Sequence, residues 1–306
     1  MTALPTHHRS IDIDGLEVFY RESGDPANPT ILLLHGFPSS SHMFRNLIRS
    51  LSDQFHLVAP DHIGFGQSAM PSVNQFTYSF DRLTEITESL IDQLGLERFA
   101  IYIHDYGAPI GLRIAHRRPE RITAIITQSG NAYTEGFTPF WDRLFAHAEN
   151  RAANEDKVRE YFTPATTRWQ YTHGVPADRL DRIGPEAWLL DQAGLDRRGN
   201  DAIQLQLFWD YQFNLDSYPA FQEYFRAHQP PLLVTWGKND EIFGAAGAEA
   251  FRRDLPDGEF HLLDAGHFAL ETHGDEISGH IRQFMSRVLG TPPEGAVQSR
   301  PTVAGS

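Results

Sequence analysis

The chain has no cysteine. That absence removes disulfide frameworks, thiolate metal sites, iron–sulfur clusters and a cysteine nucleophile together. Positive charge is scarce: 26 Lys and Arg stand against 40 Asp and Glu, a formal net charge of −14. A field of that sign repels polyanions, so no nucleic-acid partner and no membrane partner is expected. Long hydrophobic runs are missing too. No stretch of about 18 apolar residues is present to span a bilayer, and residues 1–10 lack the apolar core of a signal peptide. A cytoplasmic protein is expected. The fifteen histidines are scattered and imply no metal site. The His7-His8 pair reads as part of a mobile end.

What is present is an alternation. Short apolar runs recur at 31–34, 56–59, 99–103, 122–126, 231–235 and 259–263, each followed by turn residues. Such near-continuous runs read as strands buried on both faces of a parallel sheet. Between them lie helical patterns. From Ser79 to Leu94 the apolar residues Leu83, Ile86, Leu90 and Leu94 share one face, with Ser79 as N-cap and Gly95 as the stop. A second helix runs from Gly107 to His116. Upstream, residues 11–20 alternate around Asp14-Gly15, the signature of an antiparallel hairpin at a sheet edge. Strand–helix alternation predicts an α/β fold with a doubly wound, mostly parallel sheet.

The alternation stops after Asn131 and resumes near Arg226. The 95 residues between hold half of the chain's aromatic residues and four of its five tryptophans. Segments 155–162, 185–192 and 201–211 read as helical. The expected division is a core of residues 1–130 and 226–290, a helical cap or lid at 131–225 after the sixth strand, and a disordered tail at 291–306. Aromatics in so small a unit fill its thin core, and they also suit the lining of an apolar pocket.

The chemistry centres on Ile101-Tyr-Ile-His-Asp-Tyr-Gly-Ala-Pro109. A strand ends at His104, Asp105 takes a tight turn and Gly107 opens a helix. This is the strand–turn–helix context of a nucleophile elbow, with Asp where the pattern usually has Ser. A helix N-terminus stabilises negative charge, and an ionised Asp attacks without a general base. Taken alone, the same Asp also fits a simple helix N-cap. Leu34-His-Gly-Phe-Pro38 follows the first buried strand. Its glycine turn can aim backbone N–H groups at an oxyanion, and the expected donors are the Phe37 and Tyr106 amides. Asp240, in Thr235-Trp-Gly-Lys-Asn-Asp240, stands where an orienting carboxylate is needed. His267, in Asp264-Ala-Gly-His-Phe-Ala-Leu270, is the candidate base. Nucleophile, acid and histidine occur in the α/β-hydrolase order, each at a strand's carboxyl end, where open α/β sheets bind ligands.

On these motifs, residues 10–290 resemble the α/β-hydrolase superfamily. Pro60-Asp-His-Ile-Gly-Phe-Gly-Gln-Ser68 adds its glycine turn after the fourth strand. The Asp nucleophile resembles the epoxide hydrolase and dehalogenase branch. Haloalkane dehalogenases usually place Trp after the nucleophile and a second Trp or Asn to hold halide. Here those positions are Tyr106 and Phe37, leaving Trp141, Trp169 or Trp209 to reach the pocket. Haloacetate dehalogenases carry arginines one and four residues after the nucleophile. Here Tyr106 and Pro109 stand there, which implies a small, neutral, largely apolar substrate rather than an acid. Epoxide hydrolases are closer: they commonly carry His-Gly-Phe-Pro, as at 35–38, and His before Asp, as at 104–105. They also use two lid tyrosines to hydrogen-bond the epoxide oxygen. Tyr211, in Asp210-Tyr-Gln-Phe-Asn214, fits the place of one, with Gln212 where that family has Arg. Tyr171 and Tyr161 both fit the other, and Tyr171 is preferred.

The resemblance implies an epoxide hydrolase that forms an ester on Asp105, with His267 and Asp240 activating water and no cofactor. A haloalkane-type dehalogenase on the same residues is the first alternative. A non-catalytic small-molecule binding protein on the same fold is the second. Monomer and homodimer both stay open.

Overall fold

The computed structural model describes residues 4–290. The tail expected at 291–306 lies outside the described residues. Eight strands, β1 (His7–Ile13), β2 (Leu16–Ser23), β3 (Thr30–Leu34), β4 (His56–Pro60), β5 (Phe99–His104), β6 (Ile122–Gln128), β7 (Leu232–Gly237) and β8 (Glu259–Leu263), form one sheet. Their order is β1-β2-β4-β3-β5-β6-β7-β8. β1 and β2 pair antiparallel, β2 meets β4 antiparallel, and the remaining neighbours are parallel. The Asp14-Gly15 turn has φ of 55° and 80°, the two positive values that a two-residue hairpin of the favoured hand requires.

Alternation along each strand divides the apolar side chains between two layers. Leu32 and Leu34 of β3 join the layer containing Ile101 and Ile103, whereas Ile31 and Leu33 join Ala100 and Tyr102 on the other face. Helices α1 (Arg45–Leu51), α2 (Phe80–Gln93) and α3 (Gly107–Arg117) cover these layers. In α2 the Ser79 hydroxyl accepts from Arg82 N and caps the helix, and Gly95 closes it at φ 66°.

Between β6 and β7 come α4 (Asp142–Glu149), α5 (Arg151–Arg159), α6 (Pro164–Thr172), α7 (Pro185–Leu195), α8 (Asn200–Asp210) and α9 (Gln212–His228). Then α10 (Ala245–Ala250) precedes β8, and α11 (Ala269–Val288) packs under the sheet beside α1. α8 is clamped to the core at both ends. Asn200 Nδ2 donates to Gly64 O at 2.8 Å, and at the far end the Asp210 carboxylate accepts from Phe80 N at 2.7 Å. Charge at the N-terminus of α2 favours that carboxylate. This clamp places Phe208 and Tyr211 over the carboxyl ends of the strands.

Two expectations are corrected. His7 and His8 begin β1, and His8 Nε2 lies 2.7 Å from an Arg21 nitrogen; strand pairing overrides the polarity of that segment. β8 is not buried on both faces. It is the sheet's edge, with one neighbour to cover it, and Leu262 is 40% exposed. Among the described residues no helix is long and apolar enough to cross a membrane.

Candidate active site

Strand register assembles the site. Leu34 of β3 pairs with Ile103 of β5, so the chain leaving β3 runs beside the chain leaving β5. Gly36 and Phe37 therefore meet Asp105 and Tyr106. Asp105 holds a left-handed φ of 49°, a conformation that non-glycine residues seldom adopt and that packing must hold. A Cβ at Gly36 would strike the Asp105 carboxylate and Tyr106 N, so glycine there makes the approach feasible. Asp105 Oδ1 accepts from Phe37 N at 2.7 Å and from Tyr106 N at 2.6 Å. The two amides proposed from sequence thus converge on one carboxylate oxygen.

The other carboxylate oxygen faces a histidine. Asp105 Oδ2 lies 3.9 Å from His267 Nε2, which is buried and has no hydrogen-bond partner. His267 Nδ1 stands 2.9 Å from Asp240 Oδ2. With Nδ1–H donating to that carboxylate, Nε2 presents its lone pair toward Asp105. Asp240 is held on every side. Its Oδ1 accepts from Ile242 N at 2.8 Å and Phe243 N at 3.1 Å, and its Oδ2 also accepts from Ser129 Oγ at 2.7 Å.

Sequence reasoning missed three supports. Ser129 braces the acid, Gln128 Nε2 donates to His267 O at 3.0 Å, and His35 accepts from His62 N through Nε2 at 3.0 Å. His35 Nδ1 lies 3.1 Å from Gly36 O, so it steadies the turn that carries Phe37. Burial lowers its pKa to about 4 and keeps it neutral. Gln128 ends β6 and Ser129 follows it, and a strand's carboxyl end beside β5 was the available signal for both.

Burial sets the electrostatics. It pushes the Asp105 carboxyl up to about 6, against the pull of His267 and the two amides. For His267, burial disfavours the imidazolium. Asp240, by charge and hydrogen bond, and Asp105 outweigh it and raise the pKa.

Side chains of the insert pack against the site. Asp105, Tyr106, His267 and Tyr211 are each at most 4% exposed. Phe37, Phe162 and Phe208 form an aromatic wall, with Phe37 4.9 Å from Phe208 edge to face and Phe208 5.6 Å from Phe162. Tyr211 joins α8 to α9, its ring 4.4 Å from Trp141, 5.4 Å from Phe80 and 6.0 Å from Tyr106. Its hydroxyl is buried without a hydrogen-bond partner. Burial raises its pKa well above the ordinary value, helped by Tyr218, Asp105 and Tyr106.

Tyr171 does not join this group. It stacks 3.9 Å from Phe268, and its hydroxyl donates to Asp191 at 2.5 Å. Tyr171 sits in the opposite apolar layer from Tyr106 and Tyr211. The preference for Tyr171 is corrected: α6 turns that side chain toward α7 and α11. Tyr161 is also committed, donating to Phe140 O at 2.6 Å. Of the candidate tryptophans, Trp141 has its indole N–H committed, whereas Trp169 and Trp209 are held by ring contacts. Trp141 Nε1 donates to Ile242 O at 2.8 Å, Trp169 stacks on His173 at 4.7 Å, and Trp209 packs on Phe213 with Arg151 over its ring.

Comparisons with known proteins give the following matches. A family model described as the alpha/beta hydrolase fold matches residues 29–274. The uncharacterized hydrolase YNR064C of Saccharomyces cerevisiae is 49% identical over 273 residues, covering 88% of this chain and 93% of that protein. Haloalkane dehalogenase 2 of Mycobacterium tuberculosis is 33% identical over 296 residues, covering 90% of this chain and 94% of that protein. Among solved structures, haloalkane dehalogenase DbeA from Bradyrhizobium elkani shares the fold at TM-score 0.70 and 23% identity, over 94% of this chain and 99% of that one.

Proposed function

The chain belongs to the alpha/beta hydrolase family, and from that membership we propose that this hydrolase opens an epoxide to a diol through an ester on Asp105. One observation carries the reading: a single carboxylate has one oxygen cradled by two amides and the other facing the free nitrogen of an acid-oriented histidine. Asp105 Oδ2 attacks a ring carbon. The carbon–oxygen bond breaks, and its electron pair goes to the departing oxygen, which takes a proton from a tyrosine hydroxyl such as that of Tyr211. Oδ1 stays in its cradle as the ester carbonyl oxygen. His267 Nε2 then removes a proton from water, which attacks Cγ. The oxyanion develops on Oδ1, where losing one N–H donor typically costs roughly 3 kcal/mol of barrier. The Cγ–Oδ2 bond breaks, its electron pair goes to Oδ2, and that oxygen takes the second water proton from the new Cγ hydroxyl, so the diol leaves and Asp105 returns as a carboxylate. The proton held by His267 returns to the tyrosinate. The route calls for neither metal nor organic cofactor.

Phe37, Phe80, Phe208 and Trp141 surround the reacting groups with apolar rings, which supports a small neutral substrate. The expected cap role of residues 131–225 belongs to this proposal.

Carbon–halogen cleavage is the second reading, favoured by the relatives named haloalkane dehalogenases. It needs N–H donors for halide, and Trp141 has already spent its indole N–H on Ile242 O. Tyr211→Phe separates the readings. Epoxide opening should fall roughly 100-fold or more, while halide release should be little changed. Diol and halide assays over a panel of epoxides and haloalkanes measure both. Halide from wild type with no diol from any epoxide would sink the first reading. The unbroken Asp105–His267–Asp240 sequence of contacts supports turnover over binding alone.

The pH dependence has a definite sign. Ring opening needs Asp105 ionised, and its pKa is raised to about 6. Ester hydrolysis needs His267 neutral, and its pKa is raised too. Both requirements fail on the acid side. We expect kcat/KM to drop roughly tenfold per pH unit below about 6. A profile that stays flat down to the ordinary carboxylate range would contradict the assignment.

A further inference from the structure

We propose that the Tyr106 hydroxyl is the second hydrogen-bond donor to the departing oxygen, paired with Tyr211; the inference rests on the ring-opening reading above. Tyr106 was singled out in the sequence for its backbone N–H and for standing where relatives carry Trp. The structure gives its side chain a separate role.

Of the tyrosines, Tyr106 and Tyr211 are those whose hydroxyls are fully buried without a hydrogen-bond partner among the described residues. Other buried tyrosines have found partners: Tyr171 on Asp191, Tyr161 on Phe140 O, Tyr133 on Asp254 and Tyr78 on Pro71 O. A buried hydroxyl with no partner is unfavourable, and phenylalanine would fill the same space without that cost. Most rings around Tyr106 are indeed phenylalanines: Phe37, Phe65, Phe80 and Phe208, with Tyr211 as the fifth neighbour. None of those four can accept a hydrogen bond. These two buried hydroxyls therefore sit on adjacent rings, with ring centroids 6.0 Å apart and planes inclined at 37°, and Tyr218 is the polar neighbour of Tyr211. Both lie within the field of the Asp105 carboxylate.

Position is fixed by the chain itself. Tyr106 N donates to Asp105 Oδ1 at 2.6 Å, so the backbone of residue 106 cannot shift without disturbing the nucleophile. Tyr106 thus serves one reaction twice. Its amide holds Oδ1 throughout, and its hydroxyl meets the oxygen that leaves when Oδ2 attacks. The tyrosine pair supplies one proton to that oxygen and recovers one when His267 has deprotonated water. The net change is addition of water to the epoxide. A substrate whose leaving oxygen is flanked by carbons small enough to sit between two rings fits this arrangement.

The test is single-turnover ester formation with styrene oxide, followed by rapid quench and mass analysis of the Asp105 peptide. His267→Gln is the parent, because the ester should persist there. Adding Tyr106→Phe should slow ester formation about 100-fold. In the otherwise wild-type chain, Tyr106→Phe should leave the rate of ester hydrolysis unchanged, because the amide is untouched. It should also raise Tm, since an unpartnered polar atom has been removed. A role confined to packing would instead slow both steps together or lower Tm. Ester formation in the double variant at the parent's rate would overturn the assignment of Tyr106 while leaving the ring-opening reading intact. A parent that forms no ester with any epoxide would overturn both.

Discussion

His267→Gln should consume one equivalent of epoxide and then stop, with the substrate's mass added to the Asp105 peptide. Ring opening uses the carboxylate and the departing oxygen's proton donor, neither of which is removed. Ester hydrolysis loses its general base, a loss worth roughly 100- to 10,000-fold. The variant should fold. Asp240 keeps its bonds from Ile242 N, Phe243 N and Ser129 Oγ, and the glutamine amide can donate to the oxygen that His267 Nδ1 leaves. Gln128 still holds the backbone carbonyl of residue 267. Removing the imidazole also removes a group that lowers the Asp105 pKa, so the experiment belongs on the alkaline side of neutrality. Continuous diol production with an unmodified Asp105 would refute the covalent route.

Asp105→Asn should abolish activity and stabilise the fold. The amide has no anionic oxygen to attack with. Stability moves the other way because burial raises the carboxyl from its ordinary 3.8 to about 6. A carboxyl with a raised folded-state pKa favours folding while protonated. That contribution is lost as pH rises from the unfolded value to about 6, so above 6 the full penalty applies. A shift of about two units corresponds to roughly 3 kcal/mol. Part of that gain is cancelled, because the amide oxygen makes weaker bonds than a carboxylate to Phe37 N and Tyr106 N. The expected gain at pH 7 is about 1–3 kcal/mol. Asn suits the position better than Ala, since residue 105 has φ 49° and Asn tolerates the left-handed region. Thermal melts from acid to neutral pH check the sign: wild type should lose stability relative to the variant as pH rises. A variant less stable than wild type at pH 7 would refute the burial argument.

These expectations depend on different kinds of information. The elbow was legible because its signal is local. A buried strand, one turn residue and a glycine-led helix lie within nine residues, and a carboxylate there has a restricted set of uses. The turn at 35–38, Asp240 and His267 were legible because each follows an apolar run, and parallel strands bring their carboxyl ends to one edge. The hairpin was legible because Asp14-Gly15 suits two successive positive φ values.

The tyrosines were not legible in the same way. Tyr161, Tyr171 and Tyr211 all lie in an aromatic-rich insert, on a helix or at a junction between helices, where helical period says which face is buried but not against what. Only the clamping of α8 by Gly64 and Phe80 turned Tyr211 toward Asp105, and only the packing of α6 on α7 and α11 spent the Tyr171 hydroxyl on Asp191. Ser129 and Gln128 were hidden for a related reason: a small polar residue at a strand end is common, and its partner is more than 100 positions away.

The sequence by itself therefore determined the sheet, the carboxylate at its elbow and the order of the groups that attend it, because those follow from short-range periodicity and turn chemistry. The tertiary structure alone decided which hydroxyls remain unpartnered beside that carboxylate. Whether a buried polar atom is satisfied depends on every chain segment that reaches it, and no local pattern records that.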